Sequence, residues 1–187
     1  MSKSRHSMLP AAAAAAAMVA TLVGACPAQA ATTWNGQQVT NRMDGSRLAL
    51  LHDSTGDGAE GITLRSPGWT YQTATWSITQ KDDGHFVLRN EAANKCLQPS
   101  SASPVKGTTV IVKPCDGTAL QDWSRRAEET NHGMNTGWGA FRPRVNTTIA
   151  LALRTYEGSG SWDTLYLDQD LNSADRLWHH HRPSSTW

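Results

Sequence analysis

The sequence predicts an all-β fold built from three similar units of roughly 50 residues each. Three observations predict it: the segment that begins at Val39 recurs twice along the chain, apolar residues alternate in short runs, and 15 of the 187 residues are Gly and 8 are Trp. Alternating runs separated by Gly and Asp turns are typical of many short strands and no long helix. A unit this small cannot bury its apolar face alone, so the three units are expected to close around a shared core.

The internal repeat is clearest when the second unit is placed over the first with a shift of 49 residues. Seven positions are then identical, mostly Gly and apolar residues that govern turns and core: Asn41/Asn90, Leu48/Leu97, Ser54/Ser103, Gly58/Gly107, Ile62/Ile111, Gly68/Gly117 and Gln72/Gln121. A third copy follows with a shift of 54, which places Leu97 on Leu151. We therefore interpret residues 31–187 as a single domain, with units at about 37–80, 84–126 and 138–181.

Each unit ends on a tryptophan, at Trp76, Trp123 and Trp178. Because these residues close the units at matching positions, we expect them to pack in the core and not to stack on a ligand. Period-two runs precede each of them, at residues 62–64, 110–112 and 165–167. These runs predict strands in all three units.

The first 30 residues have the form of a secretory signal peptide. Basic residues at Lys3 and Arg5 precede an Ala-rich apolar stretch, and a small-residue cleavage string ends at Ala30. We expect export and no retained membrane span; lipid attachment at Cys26 is a minor alternative. Cleavage after Ala30 leaves two cysteines, and an even count in an oxidising compartment predicts one disulfide.

Charge and motif content exclude several function classes. Without Lys3 and Arg5 the chain has 15 basic against 16 acidic side chains, so it lacks the basic surface that nucleic-acid binding requires. No nucleophile, carboxylate pair or Cys/His pair stands at catalytic spacing, so the sequence predicts no enzyme and no cofactor.

The loop 53–58 lacks the closing Glu of a calcium loop and is interpreted as a turn. The run 179–181 (three His) is interpreted as a surface segment after the last strand, with no metal.

The second unit carries the residues of a known family. Cys96 and Leu97 form a CL pair, a Gly turn and an alternating strand follow, the strand ends with Pro114 and Cys115, and a QxW signature occupies residues 121–123. This pattern resembles a ricin B-type lectin repeat; the first unit resembles it without the cysteines, and the third is degenerate. The resemblance implies a β-trefoil of twelve strands and a bridge from Cys96 to Cys115. At the two shifts these cysteines fall on residues 47 and 66 and on residues 150 and 169, so both partners are lost together.

The resemblance also implies where a sugar would bind. In such repeats an Asp follows the CL pair, an aromatic ring precedes the PC, and an amide lies near the QxW phrase. The Asp is replaced by Ala49, Gln98 and Ala152 in the three units, and the aromatic position of the second unit is Lys113. The candidate sugar-binding residues of the second unit are therefore Gln98, Lys113 and Gln121. The other interpretation is a solvated loop with no ligand.

Aromatic residues elsewhere are candidates for a relocated sugar platform. Trp69 and Tyr71 alternate, which predicts one strand face, and Trp162 follows a Gly-rich stretch with Tyr166 beyond it. An exposed ring beside Gly turns suits sugar stacking or a protein interface. A core face is the alternative for the alternating pair.

The sequence therefore predicts a secreted, non-catalytic module that binds a glycan or polysaccharide. The alternative is a trefoil that has lost its sugar sites and serves as an adaptor or accessory subunit in a secreted complex, similar to the ricin-like non-catalytic subunits of cytolethal distending toxins. The missing Asp favours the alternative, whereas the complete repeat in the second unit favours the lectin.

Overall fold

The structure, a computed structural model, describes residues 30–66, 68, 70–154 and 162–183. Twelve strands and three single-turn 3₁₀ segments make up its regular structure, and no α-helix occurs in these ranges. The strands are β1 (Thr32–Asn41), β2 (Arg47–Leu50), β3 (Gly61–Leu64), β4 (Trp76–Gln80), β5 (Phe86–Asn90), β6 (Lys95–Pro99), β7 (Val110–Lys113), β8 (Trp123–Ala127), β9 (Gly139–Pro143), β10 (Ile149–Leu153), β11 (Trp162–Gln169) and β12 (Trp178–His181). The signal segment through residue 29, Cys26, Trp69 and the tail 184–187 lie outside the described residues.

Six strands close into a barrel, and three hairpins accompany it. The strand β1 pairs with β4, β4 with β5, β5 with β8, β8 with β9, β9 with β12 and β12 with β1, all antiparallel. The hairpins β2–β3, β6–β7 and β10–β11 each join the middle two strands of one unit. Four strands per unit and a closed six-stranded barrel are the β-trefoil, so the predicted fold class is confirmed.

The three unit-ending tryptophans occupy equivalent core positions. Trp76, Trp123 and Trp178 are fully buried in the main hydrophobic core. Each indole N–H donates to a backbone carbonyl of the hairpin in its own unit, at Leu48, Leu97 and Leu151, over 2.9, 3.0 and 2.9 Å. A buried indole needs such an acceptor, because an unpaired N–H in the core is costly. The core interpretation of these residues is correct.

A disulfide joins Cys96 on β6 to Cys115 just beyond β7, with their Cα atoms 5.0 Å apart. In the first unit the sequence shift places Arg47 and Ser66 at these positions. There the Arg47 guanidinium donates to the Ser66 carbonyl oxygen over 3.0 Å. A polar contact thus links the two arms where the second unit has a covalent bridge.

The first unit is two residues longer than the second between its hairpin and its tryptophan, and the ungapped alignment does not show this insertion. The acceptor leucines Leu48 and Leu97 are 49 residues apart, whereas Trp76 and Trp123 are 47 apart. The residue two positions before each tryptophan is therefore Ala74, Gln121 and Arg176 in units one, two and three, respectively. Gln72 is not the counterpart of Gln121, although both fall on one column in the ungapped alignment.

Two local predictions are wrong. The histidines 179–181 do not follow the last strand; they form β12 together with Trp178 and pair with β1. Their side chains are half-buried, since β12 closes the barrel. Tyr71 does not lie in a strand either; it directly precedes the 3₁₀ turn Gln72–Ala74.

Candidate functional site

The outer faces of the three hairpins are the positions at which the family would bind sugar. In the second unit, Leu97 and Val112 point into the core, and the alternating neighbours Gln98 and Lys113 point outward and are half-buried. Gln98 lies opposite Ile111, and Lys113 lies opposite Cys96. Each hairpin has one such outward face, and the three faces differ in chemistry.

The first unit has an apolar face. The counterparts of Gln98, Lys113 and Gln121 are Ala49, Leu64 and Ala74, by strand register and by distance from the tryptophan. All three are buried in one small hydrophobic cluster together with Ile62, and Tyr71 packs against it. Because the face is covered and has no polar side chain at these positions, it offers a sugar hydroxyl no partner.

The third unit has an ion-paired face. Its counterparts are Ala152, Asp168 and Arg176, and the guanidinium of Arg176 contacts the Asp168 carboxylate at 2.6 Å. Lys106 reaches the same carboxylate at 2.9 Å. Burial raises the pKa of Asp168, but the Lys106 hydrogen bond, the Gln169 N–H and the Arg176 charge outweigh it and lower the pKa overall. The carboxylate is therefore ionised and its acceptor positions are taken by protein donors.

In the third unit, Arg176 stabilises the end of the hairpin in the way that Gln121 does in the second unit. The amide of Gln121 donates to the Pro114 carbonyl oxygen over 2.9 Å. Arg176 Nε donates to the Gln169 carbonyl oxygen, the register counterpart of Pro114, over 2.7 Å. Both contacts fix the end of the hairpin beside the tryptophan.

The second unit has an open polar face. Gln121 Nε2 also donates to Gln98 Oε1 over 3.0 Å, and its Oε1 accepts the Asp116 N–H over 2.9 Å. Gln121 is buried and thus holds Gln98 in place. Within the described ranges, Gln98 Nε2 and Lys113 Nζ have no hydrogen-bond or ion-pair partner, so both donors can contact a ligand.

Asp116 is a residue of this face that the sequence analysis missed. Its backbone is tied to Gln121, and its exposed carboxylate accepts the Thr118 N–H over 2.9 Å. This backbone hydrogen bond, followed by the side-chain bond to Thr118, lowers the pKa of Asp116. The face therefore has an ionised carboxylate in place of the Asp that should follow the CL pair. The signal in the sequence is the Asp-Gly step directly after Cys115.

The aromatic candidates lie at a different hairpin. Trp162 lies opposite Leu64 in the register of β11 and β3, and 37% of its surface is exposed. Tyr71 packs on the cluster that contains Leu64, so both rings lie beside the first unit's hairpin, although Trp162 itself is on β11 of the third unit. The structure thus brings Gln98, Lys113 and Gln121 together and places Tyr71 and Trp162 away from them.

The loop 53–58 folds as a turn. The Asp53 carboxylate accepts hydrogen bonds from the backbone of Gln72 and from the backbone and hydroxyl of Thr73, at 2.7 to 3.2 Å. Asp53 and Gly58 have positive φ values of 55° and 78°, as a turn requires.

Among the described residues, no group of three or more His, Cys, Asp or Glu is arranged to hold a metal ion. No helix in that part of the chain has the length and apolar character to cross a membrane.

Comparison with known proteins agrees with the geometry. Residues 72–159 match the family described as ricin-type beta-trefoil lectin domain-like. The designed three-fold symmetric protein ThreeFoil superposes with a TM-score of 0.66 at 21% identity, over 78% of this chain and 97% of that one. A Macrolepiota procera ricin B-like lectin, solved in complex with lactose, superposes with a TM-score of 0.61 at 15% identity, over 83% and 98%.

A mosquitocidal holotoxin also superposes, with a TM-score of 0.64 at 17% identity. The match covers 81% of this chain but only 18% of the holotoxin. No protein of curated function matches the sequence significantly. The three-unit barrel and its three core tryptophans show the β-trefoil fold, and residues 72–159 are similar to ricin-type β-trefoil lectin domains.

Proposed function

We propose that the protein is a carbohydrate-binding module whose site is the outer face of the second hairpin. One observation carries the proposal: of the three equivalent faces, the second alone presents polar groups without protein partners in the described part of the chain. The first face is covered by apolar packing, and the third is closed by ion pairs. Polar groups held in place but left unpaired are what a hydroxyl-rich ligand needs.

The face supplies both kinds of hydrogen-bonding group. Gln98 Nε2 and Lys113 Nζ donate to sugar hydroxyl oxygens, and the Asp116 carboxylate accepts from sugar hydroxyls. Gln121 holds Gln98 and the Asp116 backbone in position and does not contact the ligand itself. The half-buried side chain of Ile111, opposite Gln98, supplies an aliphatic floor.

A face without an aromatic platform binds each sugar weakly. Tyr71 and Trp162 remain candidates for a separate stacking contact at the first hairpin, and Trp69, outside the described residues, stays a candidate from the sequence alone. Simultaneous engagement of two sites would increase affinity for a polysaccharide. We further propose that the module is non-catalytic and secreted after cleavage behind Ala30. The disulfide supports an oxidising compartment for the folded protein.

The proposal is tested with the double variant Gln98→Ala/Lys113→Ala. Wild type is screened against immobilised oligosaccharides, and the affinity of a bound oligosaccharide is then measured by titration calorimetry. We expect the double variant to lose at least tenfold in affinity, because it removes both unpaired donors. The matched control is Lys106→Ala, which removes another lysine outside this face; its binding should equal wild type. Undiminished binding by the double variant would refute the site.

The second candidate function is that of an accessory subunit in a secreted complex. The observation that favours it is the closure of two of the three sugar faces. Size-exclusion chromatography of the native culture supernatant, with mass spectrometry of co-eluting proteins, separates the two functions. A chain that elutes alone supports the glycan-binding module, whereas a stoichiometric complex supports the subunit.

A further inference from the structure

A second site candidate lies where β12 closes the barrel against β1. Five aromatic rings are in contact there, and we call them with Arg125 the seam cluster: Trp34, Arg125, Trp138, His179, His180 and His181. His179 stacks on His181 with ring centroids 5.6 Å apart and an interplanar angle of 14°. Trp138 lies 5.5 Å from His179, and Trp34 lies 5.4 Å from His180. The rings are half-buried, so part of each remains accessible.

Arg125 gives this cluster an uncompensated positive charge. Its guanidinium donates to the Gly137 carbonyl oxygen, and its buried Nε has no hydrogen-bond partner. Among the described residues it forms no ion pair. Burial lowers the pKa of Arg125, which remains a cation at neutral pH. A partly buried cation is costly when no anion accompanies it.

The carboxylates near Arg125 in the sequence, and Asp170 beside the neighbouring Arg126, are engaged elsewhere; Asp122 pairs with Lys81 and Arg144. Glu128 pairs with Arg42 and accepts the Thr136 hydroxyl. Glu129 and Asp170 lie against Arg126, the neighbour of Arg125 on β8. The contrast between the two adjacent arginines is sharp, since Arg126 makes a two-pronged contact with Asp170 whereas Arg125 has no anion.

His179 and His180 do not supply the missing anion and do not add positive charge. Burial, followed by the Arg125 charge, lowers the pKa of His180 to about 4, and burial also lowers the pKa of His179. Both rings are therefore neutral at pH 7 and present flat, weakly polar surfaces. His181 contributes a second buried atom without a hydrogen-bond partner, Nδ1.

We propose that the seam cluster binds a carboxylate-bearing sugar, such as a uronic acid residue of an acidic polysaccharide. The Arg125 guanidinium pairs with the sugar carboxylate, and the exposed part of Trp138, with the stacked imidazoles behind it, covers the apolar face of the ring. Both groups that acidic-sugar recognition needs, a cation lacking a counter-ion and flat rings beside it, are present here. The site is separate from the second hairpin, and it does not depend on Gln98 or Lys113.

The test uses a trimer of galacturonic acid as the probe and the neutral galactose trimer as its comparison. Binding is measured by titration calorimetry at pH 7 with wild type and with Arg125→Met, which keeps the aliphatic stem and removes the charge. We expect wild type to bind the acidic trimer and not the neutral one at this site, and Arg125→Met to weaken acidic binding at least tenfold. Arg126→Met, the matched control on the same strand, should bind the acidic trimer as wild type does. Equal binding by Arg125→Met and wild type would overturn the proposal.

A second measurement needs no variant and removes any dependence on folding of Arg125→Met. In ¹H–¹⁵N spectra of wild type, the acidic trimer should shift the indole N–H signals of Trp34 and Trp138. Shifts confined to other tryptophans would overturn the site. The hairpin variant Gln98→Ala/Lys113→Ala should keep its affinity for the acidic trimer at the seam, so failure of the seam proposal and failure of the hairpin proposal give different results.

Discussion

Removal of the Cys96–Cys115 disulfide is expected to destabilise the protein without changing its fold. The two cysteines are separated by 19 residues, and cross-linking a loop of that length removes chain entropy worth about 3 kcal/mol from the unfolded state. The double variant Cys96→Ser/Cys115→Ser should therefore lose about 3 kcal/mol in its free energy of unfolding. For a domain of this size that corresponds to a fall in Tm of roughly 6–12 °C. Urea unfolding followed by tryptophan fluorescence measures the difference.

The first unit provides the internal control. There the Arg47 contact with the Ser66 carbonyl oxygen stands in place of the bridge, and a neutral or charged hydrogen bond contributes only about 1–3 kcal/mol. Arg47→Met should cost less than loss of the disulfide. A loss below 1 kcal/mol in the cysteine variant, or two free thiols in the oxidised wild-type protein, would refute the reasoning.

Three further outcomes test the core, the third hairpin and the barrel seam. Trp123→Phe leaves the Leu97 carbonyl oxygen without its donor and should cost about 2–3 kcal/mol in chemical denaturation, with wild-type far-UV circular dichroism. Asp168→Asn leaves the Arg176 guanidinium buried without its main counter-ion and should cost about 3 kcal/mol; a cost under 1 kcal/mol would show that Asp175 suffices. The pKa of His180 is lower in the folded protein than in the unfolded chain, where it is near 6.5, so the unfolded chain binds the extra proton between these values. Stability should therefore fall as pH falls from about 6.5 to about 4, and His180→Gln should flatten that slope in a series of melting curves; an unchanged slope would contradict this assignment.

The sequence was sufficient to predict an all-β fold of three units because these features depend on local patterns, and the β-trefoil followed from the resemblance of the second unit to a ricin B-type lectin repeat. Period-two runs and Gly turns specify strands one by one, and the repeat shows that they recur three times. The core positions of the three unit-ending tryptophans were also predictable, because a single unit is too small to bury its apolar residues and must pack them against the other two units. The sequence did not show that residues 179–181 form the last strand, because three polar imidazoles in a row carry no alternation.

The candidate site was harder to predict because loop length is weakly constrained. One or two extra residues in a surface loop change the free energy little. The first unit has two more residues between Leu48 and Trp76 than the second has between Leu97 and Trp123, so the two units are out of register there. An ungapped alignment then matched Gln72 to Gln121, and it hid the equivalence of Ala74, Gln121 and Arg176. Asp116 was missed for a similar reason, since its role arises from a loop turn and not from a strand position.

The three hairpin faces show why the fold and the binding function separate in this protein. The core depends on the inward residues of each hairpin, such as Leu97 and Val112, and these are apolar or buried in every unit. The outward residues only have to satisfy their own polar groups, and each unit does so differently: by apolar packing, by the Asp168–Arg176 ion pair, or by solvent. The first two solutions leave no polar group free to contact a sugar, and both stabilise the domain. The second face forgoes that stabilisation, because Gln98 and Lys113 keep unpaired donors in the described structure. Filling it as the first unit is filled, with Gln98→Ala and Lys113→Leu, should therefore leave the domain folded and abolish binding at this hairpin.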